Sequence, residues 1–362
     1  MRIAYILTSL GIGGAERQVT GLAERMRARG HAVMMLVLTP PAADQWVPPV
    51  VPVHLNLRHS AFSAVSGWVR AARILRKFQP DILHTNNFHG NVFGRTLKLA
   101  LPGMRVISTI HNVYEGGQWR MAAYRVSDPL SRCTIAVCQE AANKMLDVRA
   151  VPRRKCTVIA NGIDANEFSP HPTRNEDGPG RSGFVWLTIA RVVPAKNYEN
   201  LLRAFAWVCQ ADDRARLWVA GEGKGEYAQQ MRALGVELGL SGAIRWLGLR
   251  RDVAGLLDAV DGFVLSSAWE GMPLALGEAM AMEKPVVATD VGGVRELVGD
   301  CGTVVLPGMP SALARGMLDV MRMTPEACQR LGQAARRRML ARFSSNANAD
   351  GWEALYRAEI AH

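Results

Sequence analysis

Several features are missing from these 362 residues, and each absence removes a class of answer. No apolar run reaches the ~18 residues that a membrane-spanning helix needs, so a soluble fold is expected. The six cysteines (Cys133, Cys138, Cys156, Cys209, Cys301 and Cys328) form no C-x-x-C pair. That argues against a disulfide framework or a zinc knuckle and suits a reducing compartment, with the cytoplasm as the expectation. His84, His89 and His111 show no H-x3-H spacing and no Cys or Asp completes a set, so no metal site is expected. Low-complexity tracts and short-period repeats are absent, as are aromatic RNA-binding signatures and helix-turn-helix patterns. A nucleic-acid partner is therefore not expected, although a basic nucleic-acid binder stays as the non-enzymatic alternative.

What is present is a globular composition, with 49% hydrophobic and 21% charged residues, in a chain too long for one core. The net charge of +11 is uneven: residues 1–150 hold 18 Lys and Arg against 8 Asp and Glu, and the rest is nearly neutral. A basic first half can face nucleic acid, anionic lipid or phosphorylated substrates. The opening MRIAYILTSLGIGG has a basic start and an apolar run, but GGAERQ follows where a small-residue cleavage site should be. It reads as a first buried strand.

Short apolar runs alternate with amphipathic stretches, the pattern of parallel sheets wrapped by helices. Strands are predicted at RIAYIL, AVMMLVL, DILHT, RVISTI and CTIAVC, then at GFVWLTIA, ARLWVAG, AIRWLG, GFVLS, PVVAT and TVVL. Helices are predicted over 15–29, 61–80 and 200–209. Two doubly wound α/β domains follow, with a linker rich in Pro, Gly, Asn and charge between Asn161 and Gly183. The segment 343–361 reads as a helix whose Trp352, Leu355 and Tyr356 need a surface to dock on.

Ligands of open parallel sheets collect beyond the carboxyl ends of the strands. After the first strand, TSLGIGGAE makes a glycine turn into a helix. There Gly13 and Gly14 permit close backbone approach and the helix start offers N–H groups to an anion. The dinucleotide pattern G-x-G-x-x-G is not met, because Glu16 takes the third glycine's place. ARVVPAKN places Arg191 and Lys196 after a strand, where a fork and a compact charge can straddle a diphosphate. AGEGKGE, with Gly221 and Gly223, puts small residues after another. EGMPLALGE ends a strand and opens a helix: amides near Gly271, Met272, Pro273 and Leu274 can meet phosphate. The ionised carboxylates of Glu270 and Glu278 can accept hydrogen bonds from sugar or ribose hydroxyls. Paired carboxylates also serve hydrolases and metals, alternatives disfavoured by the neighbouring cations and by the lack of further acids in the loop.

Together GGAE, PDILHTNNFHGN, TIHN, NGID, ARVVPAKN, AGEG and E-x7-E, followed by KPVVATDVGG, resemble the retaining family 4 (group 1) glycosyltransferases of the GT-B fold, from end to end of the chain. Within that family the chain is similar to bacterial exopolysaccharide and O-antigen enzymes, including amylovoran-type ones, which share GGAE and an HN…EGG segment, here His111, Asn112 and Glu115 to Gly117. The resemblance implies two Rossmann-like domains facing across a cleft: residues 1–165, completed by a helix over 343–362, for the acceptor, and 166–342 for a nucleotide-sugar donor. It implies that Arg191 and Lys196 bind the donor diphosphate, Glu270 contacts the donor sugar, Glu278 holds the ribose, Gly13 and Gly14 close on the diphosphate, and His111 lies by the reacting face of the sugar. His84, Asn86 and Asn112 fall on the acceptor side. Ala190 and Asn197 stand where the family usually has glycine.

Retaining transfer of a hexose, most simply from a UDP-sugar, without metal or other cofactor, is the implied reaction. Its acceptor is expected to be a polyprenyl-diphosphate-linked saccharide, with a soluble sugar phosphate as the alternative. The helix over 61–80, with Trp68, Arg70, Arg73, Arg76 and Lys77, reads by itself as a surface helix packing its Trp and Ile against the sheet; with the +10 charge of the first half, the protein is expected to approach the anionic inner face of the plasma membrane.

Overall fold

A computed structural model describes residues 1–11, 13–41, 48–58, 60–170 and 183–361. Of the predicted linker, residues 171–182 lie outside the described set. The chain divides into two compact units, Met1–Gly162 with Ser345–His362, and Ile163–Ser344.

Unit 1 runs β1 (Arg2–Leu7), α1 (Gly14–Ala28), β2 (Ala32–Val37), β3 (Val53–His54), α2 (Ala61–Phe78), β4 (Ile82–Asn86), α3 (Asn87–Leu97), β5 (Arg105–Ile110), α4 (Gln118–Ser127), β6 (Cys133–Ala136), α5 (Gln139–Asp147) and β7 (Cys156–Val158). Its seven-stranded sheet has the order β3-β2-β1-β4-β5-β6-β7, and the central pairs β1–β2 and β1–β4 are parallel. Side chains alternate across a strand, so β1 feeds two cores. Ile3, Tyr5 and Leu7 pack with Val19, Leu22 and Met26 of α1 and with Trp352 and Tyr356 of the C-terminal helix (Ser345–Ala361). Ala4 and Ile6 face Ala71 and Leu75 of α2 and Leu97 of α3.

Unit 2 runs β8 (Val185–Ile189), α6 (Tyr198–Ala211), β9 (Arg216–Ala220), α7 (Glu226–Glu237), β10 (Ile244–Gly248), α8 (Val253–Asp258), β11 (Gly262–Leu265), α9 (Leu274–Ala281), β12 (Val286–Thr289), α10 (Val294–Val298), β13 (Thr303–Val305), α11 (Pro310–Met321) and α12 (Pro325–Arg342). Its six strands lie in the order β10-β9-β8-β11-β12-β13. In both units the order reverses beside the first strand, between β1 and β4 and between β8 and β11, and these are the topological switch points at which such sheets hold ligands.

All eleven predicted runs form strands. The sequence pattern misses β3 and β7, which have two and three residues at the sheet edges, too few for a period to register. Among the described residues no helix is long and apolar enough to cross a membrane.

On α2, Trp68 packs inward, as the alternative of a surface helix laid on the sheet expects. Its indole N–H donates to Thr96 Oγ1 at 3.1 Å and its ring packs into the core beneath the helix. The outward face of α2 instead carries Phe62, 84% exposed, and Val65, 64% exposed, in line with Arg73 and Arg76 at helical spacing.

Candidate active site

In unit 2 the loops after β8 and β11 flank the switch point, and hydrogen bonds lock one to the other. The Ala268 N–H donates to Ala195 O at 2.9 Å, and Ser266 Oγ donates to Lys196 O, also at 2.9 Å. These bonds set Lys196 beside Glu270: its ammonium donates to Glu270 Oε1, which also accepts the Ser267 hydroxyl at 2.6 Å. The Glu270 side chain is 8% exposed and the Lys196 side chain 22%. A carboxylate so placed needs its partner, because an unpaired buried charge is costly.

Behind Glu270 the turn after β12 presses in. Gly292 has φ +57°, and a Cβ on it would stand 2.5 Å from Gly271 O and 2.6 Å from Glu270 O. The adjacent Gly293 N–H donates to Gly271 O at 2.6 Å. Glycine is required here by both backbone sign and space. Gly271, Met272 and Pro273 are buried, and Leu274 opens α9 with no side-chain cap, leaving first-turn N–H groups for a ligand. Glu278 lies one turn further along and is buried.

Arg191 is exposed and has no ion-pair partner among the described residues. The structure therefore separates the two cations that the sequence sets together: Lys196 is committed to a carboxylate 74 residues away, and Arg191 remains available. Gly221 and Gly223 are explained by a loop contact. A Cβ at Gly221 would strike Ala190 O, and one at Gly223 would meet Val192 Cβ and Ala228 Cβ, while Val192 N–H donates to Glu222 O at 3.0 Å.

Asn197 also finds its reason. It sits at φ +44°, a left-handed conformation that Asn tolerates better than most residues, and its side chain caps α6 by accepting the Asn200 N–H at 3.3 Å. Asn197→Gly is expected to change stability by only about 0.3 kcal/mol and Asn197→Ala to cost about 2 kcal/mol. Equilibrium urea unfolding checks this, and equal costs for the two would remove the account.

In unit 1, Asn86 gives its amide hydrogens to Ile6 O and His84 O, at 3.3 and 3.4 Å, so its oxygen faces His111 and accepts the Nε2 proton at 3.0 Å. His111 Nδ1 is then a bare lone pair, buried and without a partner among the described residues. Burial pushes the imidazole down to about 4, which keeps it neutral near pH 7. Asn86 and His111 thus act together.

His84 is corrected from an acceptor-side residue to a core one. Its Nδ1 meets the Tyr356 hydroxyl and its Nε2 the Thr109 hydroxyl, both at 2.6 Å, and its ring stacks 4.4 Å from Trp352. Desolvation holds it at about 3, so it is neutral and has no free nitrogen. Asn112 spends its oxygen on the Tyr114 N–H at 3.1 Å, shaping the loop after β5. Gly13 caps α1 in extended backbone and Gly14 is the helix's first residue. A Cβ at Gly13 would run into the Glu16 carboxylate, so an anion arriving at this helix start has to displace that acid. Ile12, between these glycines and β1, lies outside the described residues.

One residue had no assigned role in the sequence. Glu115 is buried, accepts the Tyr124 hydroxyl at 3.0 Å and takes hydrogen bonds from the backbones of His111 and Asn112. Burial outweighs these and raises its carboxyl to about 7. Beneath it, Tyr124, Asn91, Thr85, Ser108 and the fully buried Arg95 form a continuous hydrogen-bonded floor. Its glycine-flanked sequence carries no sign of burial, which arises only when α3 and α4 pack.

Residues 173–338 match the family model described as Glycosyl transferases group 1, and residues 12–167 match the model described as Glycosyltransferase Family 4. EpsD of Bacillus subtilis is 27% identical over 303 residues, 79% of this chain and 78% of that protein. An Escherichia coli enzyme named UDP-Gal:alpha-D-GlcNAc-diphosphoundecaprenol alpha-1,3-galactosyltransferase is 28% identical over 240 residues, 62% of each chain. The solved structure of Anabaena Alr3699/HepE in complex with UDP-glucose superposes with a TM-score of 0.85 at 21% identity, covering 99% of this chain and all of that one; at that identity the likeness speaks for the fold.

Proposed function

The chain belongs to the glycosyltransferases, its second half to group 1 and its first to family 4, and we propose that it moves a hexosyl group, with retention, from a UDP-sugar to a lipid-linked saccharide in surface polysaccharide synthesis. The observation that carries this reading is the Lys196–Glu270 pair at the unit 2 switch point, beside an uncapped helix start. Cleaving a sugar–diphosphate bond builds negative charge on the phosphate and positive charge on the ring. Pre-placed donors at the phosphate stabilise that transition state without reorganising.

In this reading Arg191 and the α9 amides meet the diphosphate. Lys196 lies against the departing oxygen, and Glu270 accepts sugar hydroxyls. Glu278 accepts from the ribose, and His111 Nδ1 accepts a hydroxyl of a bound sugar. The acceptor oxygen attacks the face the diphosphate leaves, and its proton passes to the departing phosphate oxygen. Side chains and amides supply the electrostatics, so no metal is proposed.

Support for a lipid-linked acceptor comes from the diphosphoundecaprenol in the name of the Escherichia coli relative and from α2, which has no acidic residue and carries Phe62 and Val65 in line with exposed arginines. Such a face suits insertion of two apolar side chains at an anionic bilayer surface.

The test is nucleotide binding followed by product mass. UDP at about a hundred times its Kd stabilises the folded chain by ~2.7 kcal/mol, and Glu278→Gln removes most of that gain. Stabilisation by an oligonucleotide in place of UDP, or an unchanged Glu278→Gln response, sinks the reading.

A further inference from the structure

His111 is held at two places. The Asn86 oxygen accepts its ring Nε2 proton at 3.0 Å, and the Glu115 carboxyl accepts from the backbone at His111 and Asn112. Glu115 stands four residues further along the same loop, so its side chain folds back and closes the loop on itself. The closure reaches α4 through the Tyr124 hydroxyl, 3.0 Å from Glu115 Oε2.

The direction of that last bond is set from below. Asn91 donates to Thr109 O at 2.9 Å and to the Tyr124 oxygen at 3.0 Å, while its own oxygen accepts the Thr85 hydroxyl at 2.8 Å. Asn91 and Tyr124 are both wholly buried. Since the Asn91 nitrogen is the donor in their bond, the single phenolic proton goes to Glu115. Each group bonded to this carboxyl is therefore a donor, which is the arrangement that fits a carboxylate. A protonated acid carries a hydrogen of its own into that set of donors and weakens their hold.

Burial opposes the donors and raises the group to about 7, so the fastening changes state near neutral pH. The other charged or titratable groups around it are Arg120 on α4, His111 and Tyr114 on its own loop, and His89 and Arg95 on α3. Arg120 donates to the Glu115 carbonyl at 3.0 Å, and His89 lines the same pocket as Glu115.

We infer that Glu115 is the positioning residue for His111: as a carboxylate it fastens the loop after β5 so that Nδ1 stays clear for a sugar hydroxyl, and taking up a proton loosens the loop and lowers turnover. The use of Nδ1 rests on the transferase reading. The fastening of the loop does not.

The experiment follows the His111 ring by NMR in the full chain with isotope-labelled histidine, from about pH 5.5 to 8.5, its signal assigned by its loss in His111→Gln. Burial keeps this ring neutral down to about 4, so a change near pH 7 reports a neighbour. One step with a midpoint near 7 is expected. Glu115→Gln, which keeps the shape and removes the charge, abolishes the step. Tyr124→Phe, which takes away one donor, moves it up by about one pH unit, and His89→Gln leaves it in place. Turnover of a UDP-sugar is read on the same samples. Wild-type kcat falls on the acid side with the same midpoint, and Glu115→Gln is about tenfold slower at pH 8 with little change in KM. A flat His111 signal, a step that survives Glu115→Gln, stays unmoved in Tyr124→Phe or vanishes in His89→Gln, or a Glu115→Gln enzyme as fast as wild type at pH 8 overturns the inference. If the step behaves as stated while wild type turns over no UDP-sugar and UDP fails to stabilise it, the fastening of the loop stands and the nucleotide-sugar reading falls.

Discussion

Replacing Lys196 with alanine lowers turnover by about 10²–10³-fold, the effect of removing one pre-placed donor from a developing negative charge. It also costs stability, because Glu270 is left nearly buried without its cation. That cost falls below the ~3–5 kcal/mol of a fully buried pair, since the lysine keeps some contact with water. The two effects are separable. In Lys196→Met with Glu270→Gln, no charge is left stranded and stability largely returns, whereas turnover stays low. Kinetics and urea unfolding on the two singles and the double close the cycle. A Lys196→Ala protein that turns over like wild type removes this residue from the mechanism. A double variant that regains activity along with stability makes the pair a structural clip only.

The second large effect concerns unit 1. Trp352→Ala is expected to destabilise unit 1 by about 3–5 kcal/mol, the usual cost of emptying a buried tryptophan site, and to lower its unfolding temperature by roughly 10 °C. Trp352 is 4% exposed among Tyr5, His84 and Tyr356. The substitution also has a local signature. His84 is held at about 3 by desolvation, and a cavity that admits water lets the ring titrate closer to its ordinary 6.5. Calorimetry reads the first effect and an NMR titration of the imidazole reads the second. An unchanged transition together with an unchanged His84 would falsify the packing account of the C-terminal helix.

How far the sequence carries such conclusions depends on the range of the interaction. The central strands are legible because each is a local run: IAYIL and GFVL are apolar from end to end, as strands covered on both faces must be. The residues of the donor loops are legible too, since each loop follows a readable strand. Their pairing is not. Nothing local to ARVVPAKN indicates that Lys196 meets Glu270 and Arg191 does not, because that choice comes from Ser266 and Ala268 gripping the backbone of another loop. His84 shows the opposite limit. In DILHT it resembles a strand-end polar group offered to a ligand, yet its partner Tyr356 lies 272 residues on, and only the folded sheet turns it inward. Glu115, legible only as part of the HN…EGG segment, has no readable role for a related reason: an acid between Tyr114 and two glycines looks solvated until α4 and the floor of Asn91 and Tyr124 close over it. Asn197, in contrast, was visible as an oddity and needed only its backbone angle to explain it.

Because Ser345–Ala361 belongs to the first compact unit and is encoded after the whole of the second, biosynthesis imposes an order of events. While ribosomes are still translating residues 163–344, Tyr5, Leu7 and His84 are already out of the exit tunnel with one flank uncovered. The nascent β-sheet must wait, sticky and incomplete, for a helix that arrives last, and chaperone dependence during synthesis should fall on this half of the polypeptide.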